Sequence, residues 1–314
     1  MNVIEETFAM NSIWLDYYAH FNYLRQQDVR DGCHPWLMTH ENNKRSIVLI
    51  HGLTDSPYFM QAIGQYFHEE LNFNVFIPLL QAHGLKKPNG MAGVSLEKWK
   101  ENVEFAVDEA KKMGETVSIG GLSTGGTLSV YMATNQPEDI NGGIFLFSAA
   151  LDIANIAGDL IEGDLVEFVA RSFLVNLVDF YEDRKGNLIG DNPYRYSRMD
   201  TGGAQQLSRL IKEVDQLTGK LGEKSPLLQP LFVAHSECDK TADIEGVEEL
   251  IVKAKEGRCD FYRMGKHFNI SHASVVLKEP VKADNGSPLE PANPFFDEMM
   301  AAIKVFSEKH LSVS

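Results

Sequence analysis

The chain has 314 residues, 44% of them hydrophobic, and sets 29 basic against 44 acidic side chains for a formal charge of −15. That length suits one large α/β domain with an insertion, or two small domains. The acidity argues against nucleic acid and anionic membrane surfaces as partners, because both repel such a surface.

From the N-terminus, Met1 to Met10 carry Glu5 and Glu6 where an export signal has basic residues. No apolar run in the chain approaches the ~20 residues of a membrane span, so a cytoplasmic chain with no stable membrane insertion is expected. Residues 1–45 are ambiguous: Ile13, Trp14, Tyr17, Tyr18, Phe21 and Leu24 recur at helical spacing, and Pro35 to Met38 hints at a strand. Beyond them, β-branched runs alternate with amphipathic stretches. The runs are Ser46 to Ile50, Val75 to Pro78, Val117 to Gly120, Gly143 to Phe147, Leu231 to His235 and Asp260 to Met264. Strands alternating with helices give a mostly parallel, doubly wound sheet.

His51-Gly52-Leu53 follows the first of these strands directly, and the Leu53 N–H is placed to help bind an oxyanion, with Gly52 permitting the tight turn. His51, locked in that turn, reads as structural. Ser56 is set to cap a helix with Pro57 at its first position, and Met60, Ile63, Phe67 and Leu71 then form one apolar stripe. Gly121-Leu122-Ser123-Thr124-Gly125 lies between the strand Val117 to Gly120 and a helix that ends before Pro137. Strand, G-x-S-x-G and helix together form a nucleophile elbow, in which a serine on a strained turn presents its hydroxyl and the next residue, Thr124, offers a second oxyanion N–H. Ser123 is therefore the candidate nucleophile.

Between Leu151 and Pro226 no clear strand occurs for about 75 residues, too many for a plain connection. Residues 151–226 are expected to be a helical cap inserted into a core made of residues 1–150 and 227–314. Leu165, Val166, Phe168, Val169, Phe173, Leu174, Leu177, Val178 and Tyr181 give it one wide apolar face, read either as core packing or as a wall of the substrate pocket. Past the strand Leu231 to His235, the acid that orients a catalytic base is expected at the strand's C-terminal end. Asp239 is the choice over Glu237 and Asp243, the last of which is placed to cap the next helix. After the strand Asp260 to Met264, the base is His272 in preference to His267, which sits close behind the strand in an exposed setting. Serine, acid and base then follow one another in the order such an elbow uses.

The ten histidines show neither H-E-x-x-H nor tight Cys/His spacing, and no glycine-rich cofactor signature is present, so neither metal nor cofactor is expected. Cys33, Cys238 and Cys259 leave an odd thiol. Cys238 and Cys259 fall at opposite ends of neighbouring strands, which argues against a disulfide.

Three stretches resemble the α/β-hydrolase family, and within it the monoacylglycerol lipase and bacterial carboxylesterase group that overlaps the serine aminopeptidase-like hydrolases. They are Val48-Leu49-Ile50-His51-Gly52-Leu53-Thr54-Asp55-Ser56-Pro57, Pro78-Leu79-Leu80-Gln81-Ala82-His83-Gly84, and Gly120-Gly121-Leu122-Ser123-Thr124-Gly125-Gly126. The second departs from the group's usual Gly-His-Gly at Ala82, and Trp99 stands where these enzymes often have a tryptophan. The resemblance runs from about Ser46 to His310; the family's N-terminal antiparallel strands are hard to see, and Lys278 to Pro294 forms a Pro-rich loop. It implies a cofactor-independent serine hydrolase with Ser123, Asp239 and His272 as triad and Leu53 and Thr124 as oxyanion hole. Its substrate would be a small ester, with an acyl chain suggested by the apolar cap. Two alternatives stay open: an aminopeptidase holding a free amine with cap acids such as Glu162, Asp164, Glu167 or Asp179, and a binding protein that kept the fold without catalysis.

Overall fold

Runs that are hydrophobic at every position can be buried on both faces only in the middle of an α/β sheet. The computed structural model describes residues 12–87, 90–151, 192–197, 201–283 and 286–311. Its elements in chain order are β1 (Ser12–Ile13), α1 (Leu15–His20), β2 (Trp36–Met38), β3 (Arg45–Ile50), α2 (Tyr58–Glu69), β4 (Asn74–Ile77), α3 (Leu96–Met113), β5 (Thr116–Leu122) and α4 (Thr124–Asn135). There follow β6 (Ile144–Phe147), α5 (Thr201–Thr218), β7 (Leu231–Ser236), α6 (Ile244–Ile251), β8 (Cys259–Met264), β9 (Val281–Lys282), β10 (Pro288–Glu290) and α7 (Phe296–His310).

The sheet runs β1-β2-β4-β3-β5-β6-β7-β8. From β4 to β8 all neighbours are parallel, whereas β1 and β2 add antiparallel at the β4 edge. Strand β2 falls on the run Pro35 to Met38 that hinted at a strand, whereas β1 left no signal in the sequence. With two and three residues, neither is long enough to show an alternation. The chain leaves β3, lays β4 on one side and β5 on the other, so the carboxyl ends of β3 and β5 lie side by side. Such a switch point opens the crevice in which α/β sheets hold ligands.

Side-chain alternation splits the core into two layers. Val48 and Ile50 face a layer built with Trp99 and Val103 of α3, Leu128 of α4, Leu207 and Leu210 of α5 and Val247 of α6. Ile47 and Leu49 face the other, with Phe59, Ile63 and Phe67 of α2 and Met299, Ile303 and Phe306 of α7. Helix α2 begins at Tyr58 without the expected Ser56 side-chain cap. The Phe59 and Met60 amides instead bond back to the Ser56 and Pro57 carbonyls, and the Ser56 side chain is buried beside Cys33. Of the helical spacing from Ile13 to Leu24, only Leu15–His20 is helix. The aromatic rings around it serve tertiary packing, Trp14 stacking on Phe105 at 5.5 Å and Tyr17 meeting Phe21 at 4.8 Å.

Of the segment 151–226, residues 152–191, with the apolar face from Leu165 to Tyr181, lie outside the described residues. Helix α5, within the same segment, packs on α3 and α4. Gln206 Oε1 accepts the Leu96 N–H at the start of α3 at 3.1 Å, and Lys100 on α3 pairs with Glu213 at 2.6 Å. All three cysteines are free thiols, and the Leu231–Cys259 pairing sets Cys259 at the opposite end of the β7–β8 pair from Cys238. Among the described residues no helix is long and apolar enough to cross a membrane.

Candidate active site

Strand β5 delivers the chain into α4 through one residue. Ser123 has φ 54° and ψ −118°, a conformation L-residues avoid. Its amide donates to Phe147 O at 3.1 Å, and its carbonyl accepts from the Thr127 and Ala150 amides at 3.1 and 3.3 Å, so neighbouring strand and helix impose the strain. The turn is tight enough that a Cβ on Gly125 would lie 2.0 Å from Ile50 O. The Ser123 hydroxyl is buried and has no hydrogen-bond partner among the described residues.

The candidate acid and base follow the two strands at the far edge of the sheet. Beyond β7, Asp239 turns its carboxylate inward with no side-chain exposure; Oδ1 accepts the Thr241 and Ala242 amides at 2.8 and 3.0 Å. The other oxygen, Oδ2, lies 2.7 Å from His272 Nδ1. A carboxylate can only accept, so Nδ1 carries the proton and Nε2 is left as the basic nitrogen. Burial by itself would raise the Asp239 pKa, but the His272 imidazole, its hydrogen bond, and His235 outweigh it and hold the carboxyl below its usual range. His272 begins the 3-10 turn Ala273–Val276, whose apolar residues are buried against α2 and β7.

Residues Gly52 to Asp55 leave β3 beside this elbow. A Cβ on Gly52 would sit 2.5 Å from Asp55 Oδ2 and 3.3 Å from Ser123 Cβ, so a side chain here would displace the Asp55 carboxylate and press on the serine. Leu53 is buried in the turn, and Thr124 opens α4 on the other side of Ser123. His51 is fully buried beneath: Nε2 accepts the Leu80 amide at 3.2 Å, leaving Nδ1 to donate to Gly52 O at 2.9 Å. Burial, then the neighbouring His83, push its pKa well below the ordinary value, as suits a neutral structural ring.

The rival residues are engaged elsewhere. Glu237 pairs with Arg263 at 2.6 Å on the surface; Asp243 caps α6 by accepting the Glu245 amide at 3.0 Å. His267 is exposed and its ring packs on Phe268. Sequence reasoning missed two groups. His235, the penultimate residue of β7, is buried with Nε2 3.7 Å from Asp239 Oδ2 and 3.1 Å from Ala242 O, and burial pushes its pKa down. The second is a buried ion network: Arg195 lies 2.6 Å from Asp55 and 2.9 Å from Glu290, which also accepts from Asn192 at 2.6 Å. Burial pushes the Asp55 pKa up against the opposing charge of Arg195. Burial also works against the charge of Arg195, yet the two carboxylates prevail and hold its pKa above that of a free guanidinium. Asp55 sits inside a quoted motif, but nothing local marks Arg195 as its partner.

Residues 41–268 match the family described as serine aminopeptidase, S33. A thermostable monoacylglycerol lipase of Bacillus sp. (strain H-257) is 30% identical over 138 residues, which cover 44% of this chain and 53% of that enzyme. A carboxylesterase of Bacillus subtilis (strain 168) is 26% identical over 104 residues, 33% of this chain and 42% of the esterase. The chain thus spans about half the length of the curated relatives it matches. A structure reported for the metagenome-derived lipolytic enzymes LipS and LipT is similar with TM-score 0.66 at 17% identity, covering 90% of this chain and all (100%) of that one. The monoacylglycerol lipase of Paleococcus ferrophilus is similar with TM-score 0.57 at 16% identity, covering 87% and 98%. At these identities the structural likeness establishes the fold.

Proposed function

The chain belongs to the serine aminopeptidase S33 family, among the lipase- and esterase-type α/β-hydrolases, and from that premise we propose that it hydrolyses small carboxylic esters through an acyl-enzyme on Ser123. The observation that carries the reading is the 2.7 Å contact between His272 Nδ1 and the buried Asp239 carboxylate, because it commits Nε2 to act as the base. The strained Ser123, whose hydroxyl has no partner among the described residues, supplies the nucleophile at the same carboxyl edge of the sheet.

In this mechanism Ser123 Oγ attacks the ester carbonyl carbon while His272 Nε2 takes the hydroxyl proton. The Leu53 and Thr124 amides hold the oxyanion of the tetrahedral intermediate. Its collapse breaks the carbonyl–alkoxide bond, and the alcohol leaves with the proton from His272. Water then attacks the acyl-enzyme with His272 again as base, and a second collapse releases the acid and restores Ser123. Asp239 stays ionised throughout and orients the imidazole. Residues 151–226 act as the cap, and the preferred substrate carries an acyl chain, as in a monoacylglycerol.

A p-nitrophenyl ester chain-length series beside aminoacyl-anilides tests the reading. Ester turnover, with fluorophosphonate labelling lost in Ser123→Ala, is the expected result. Turnover of anilides but not esters would replace it with an aminopeptidase, and an unlabelled, inactive protein would leave a binding role.

A further inference from the structure

We propose that Arg195 is a positioning residue for the oxyanion turn: through its ion pair with Asp55 it fixes the Gly52–Asp55 loop that carries the Leu53 amide. The inference rests on the reading above, in which that amide serves the oxyanion.

The turn holds little restraint of its own. Asp55 N donates to Gly52 O at 3.2 Å, closing four residues, and Thr54 inside it stands at φ 67°, the left-handed region that a β-branched residue avoids. Such a conformation persists only where its surroundings over-determine it. Here one short segment supplies that restraint: Arg195 lies 2.6 Å from the Asp55 carboxylate, and the next amide, Tyr196 N, donates to Thr54 O at 2.9 Å. Side chain and backbone of neighbouring residues thus grip the last two residues of the turn.

The segment is anchored independently of the turn. Arg195 also pairs with Glu290 at 2.9 Å and lies over the Phe59 ring at 5.1 Å, and its carbonyl accepts from Arg30 Nη1 at 2.9 Å. The Tyr196 hydroxyl donates to Ala82 O at 2.9 Å, and Tyr194 stacks on Tyr58 with centroids 3.5 Å apart. The restraint has a direct route to the reacting serine. Asp55 Oδ2 occupies the space over Gly52 Cα, on the side where Gly52 abuts Ser123. Displacing Asp55 therefore moves the loop that faces the nucleophile. A buried ion pair is weak evidence for stability, since its desolvation offsets its attraction; what this one fixes is geometry, two residues from Leu53.

The test compares Arg195→Met, Arg195→Lys and Asp55→Asn with the wild-type chain, using p-nitrophenyl butyrate. Burst titration counts competent sites, so kcat is independent of the folded fraction. Expected are a roughly 30-fold fall in kcat for Arg195→Met, about 2 kcal/mol of transition-state stabilisation, with KM within threefold, and partial recovery in Arg195→Lys. Asp55→Asn should fall similarly. If Arg195→Met does not fold, the near-isosteric Asp55→Asn carries the comparison. A kcat per site within twofold of wild type in the variants that fold, or a loss confined to KM, overturns the proposal while the esterase reading stands. A wild-type chain that neither turns over esters nor takes a fluorophosphonate at Ser123 overturns both.

Discussion

Adding a single methyl group at Gly125 tests whether the elbow is as tight as its geometry requires. An alanine Cβ would lie 2.0 Å from Ile50 O, 2.5 Å from Ile50 C and 2.7 Å from His51 O, where ordinary contact begins at 3.4 Å. All three atoms are backbone at the end of β3, a strand paired on both sides, so the clash cannot be relieved by a rotamer change. Overpacking of this kind costs about 1–3 kcal/mol, and a rigid backbone neighbour places it at the upper end. The better helix propensity of alanine returns about 1 kcal/mol at most, leaving a net loss of about 2–3 kcal/mol. With an unfolding entropy of about 2 cal/mol/K per residue over 314 residues, the melting temperature of Gly125→Ala falls by about 4 °C. Relief of the clash needs roughly an ångström of movement at the start of α4, which displaces the Thr124 amide and Ser123; a shift of that size costs about 100-fold in kcat/KM. Scanning calorimetry with p-nitrophenyl butyrate kinetics reads both, and Gly222→Ala, whose Cβ would meet nothing within 4 Å, is the control. A Gly125→Ala protein that melts within 1 °C of wild type and keeps its kcat/KM within threefold would refute the steric argument.

Asp239→Asn should lower kcat by about 10³–10⁴-fold at unchanged fold, because an amide no longer fixes the His272 tautomer, whereas Glu237→Gln stays within threefold; steady-state kinetics with circular dichroism decide. His272→Ala should be as damaging, and His267→Ala harmless, in the same assay. Ala82 stands at φ 63°, so Ala82→Gly relieves left-handed strain of about 1–2 kcal/mol against the extra chain entropy of glycine; the unfolding free energy from urea titration should rise by about 0.5–1 kcal/mol. Burial, only partly offset by its bond to Gln81 O, pushes the His83 pKa from 6.5 down to about 4. The unfolded chain therefore binds more protons between those values, and stability falls as pH drops from about 6.5 toward 4, by about 2 kcal/mol at pH 5. His51 acts in the same direction, and Asp239, with its pKa depressed, loses its contribution at still lower pH. Urea titrations at pH 7.5 and 5 check the slope, and a His83→Gln variant should lessen it while the His51 share remains.

What the sequence determined by itself is the part of this protein written in local patterns. The strands from β3 to β8 are short apolar runs between turn signals, and the elbow, the turn after β3 and the residues after β7 and β8 follow from position on those strands. The capping role of Asp243 was legible too, since it stands where a helix must begin. Of the edge strands, the three-residue β2 was only hinted at by Pro35 to Met38 and the two-residue β1 was not legible, because so short a run has no period. Nor was the Ser56 cap correctly anticipated, since burial of that side chain prevailed over its local preference. Only the tertiary structure decided that Arg195 reaches Asp55 and Glu290, that His235 lies behind Asp239, and that Gly52 abuts Ser123. Those contacts join segments remote in sequence. Local propensity and periodicity report each segment against its own neighbours, whereas the pairing of buried charges and the approach of one loop to another depend on how the sheet brings strand ends together.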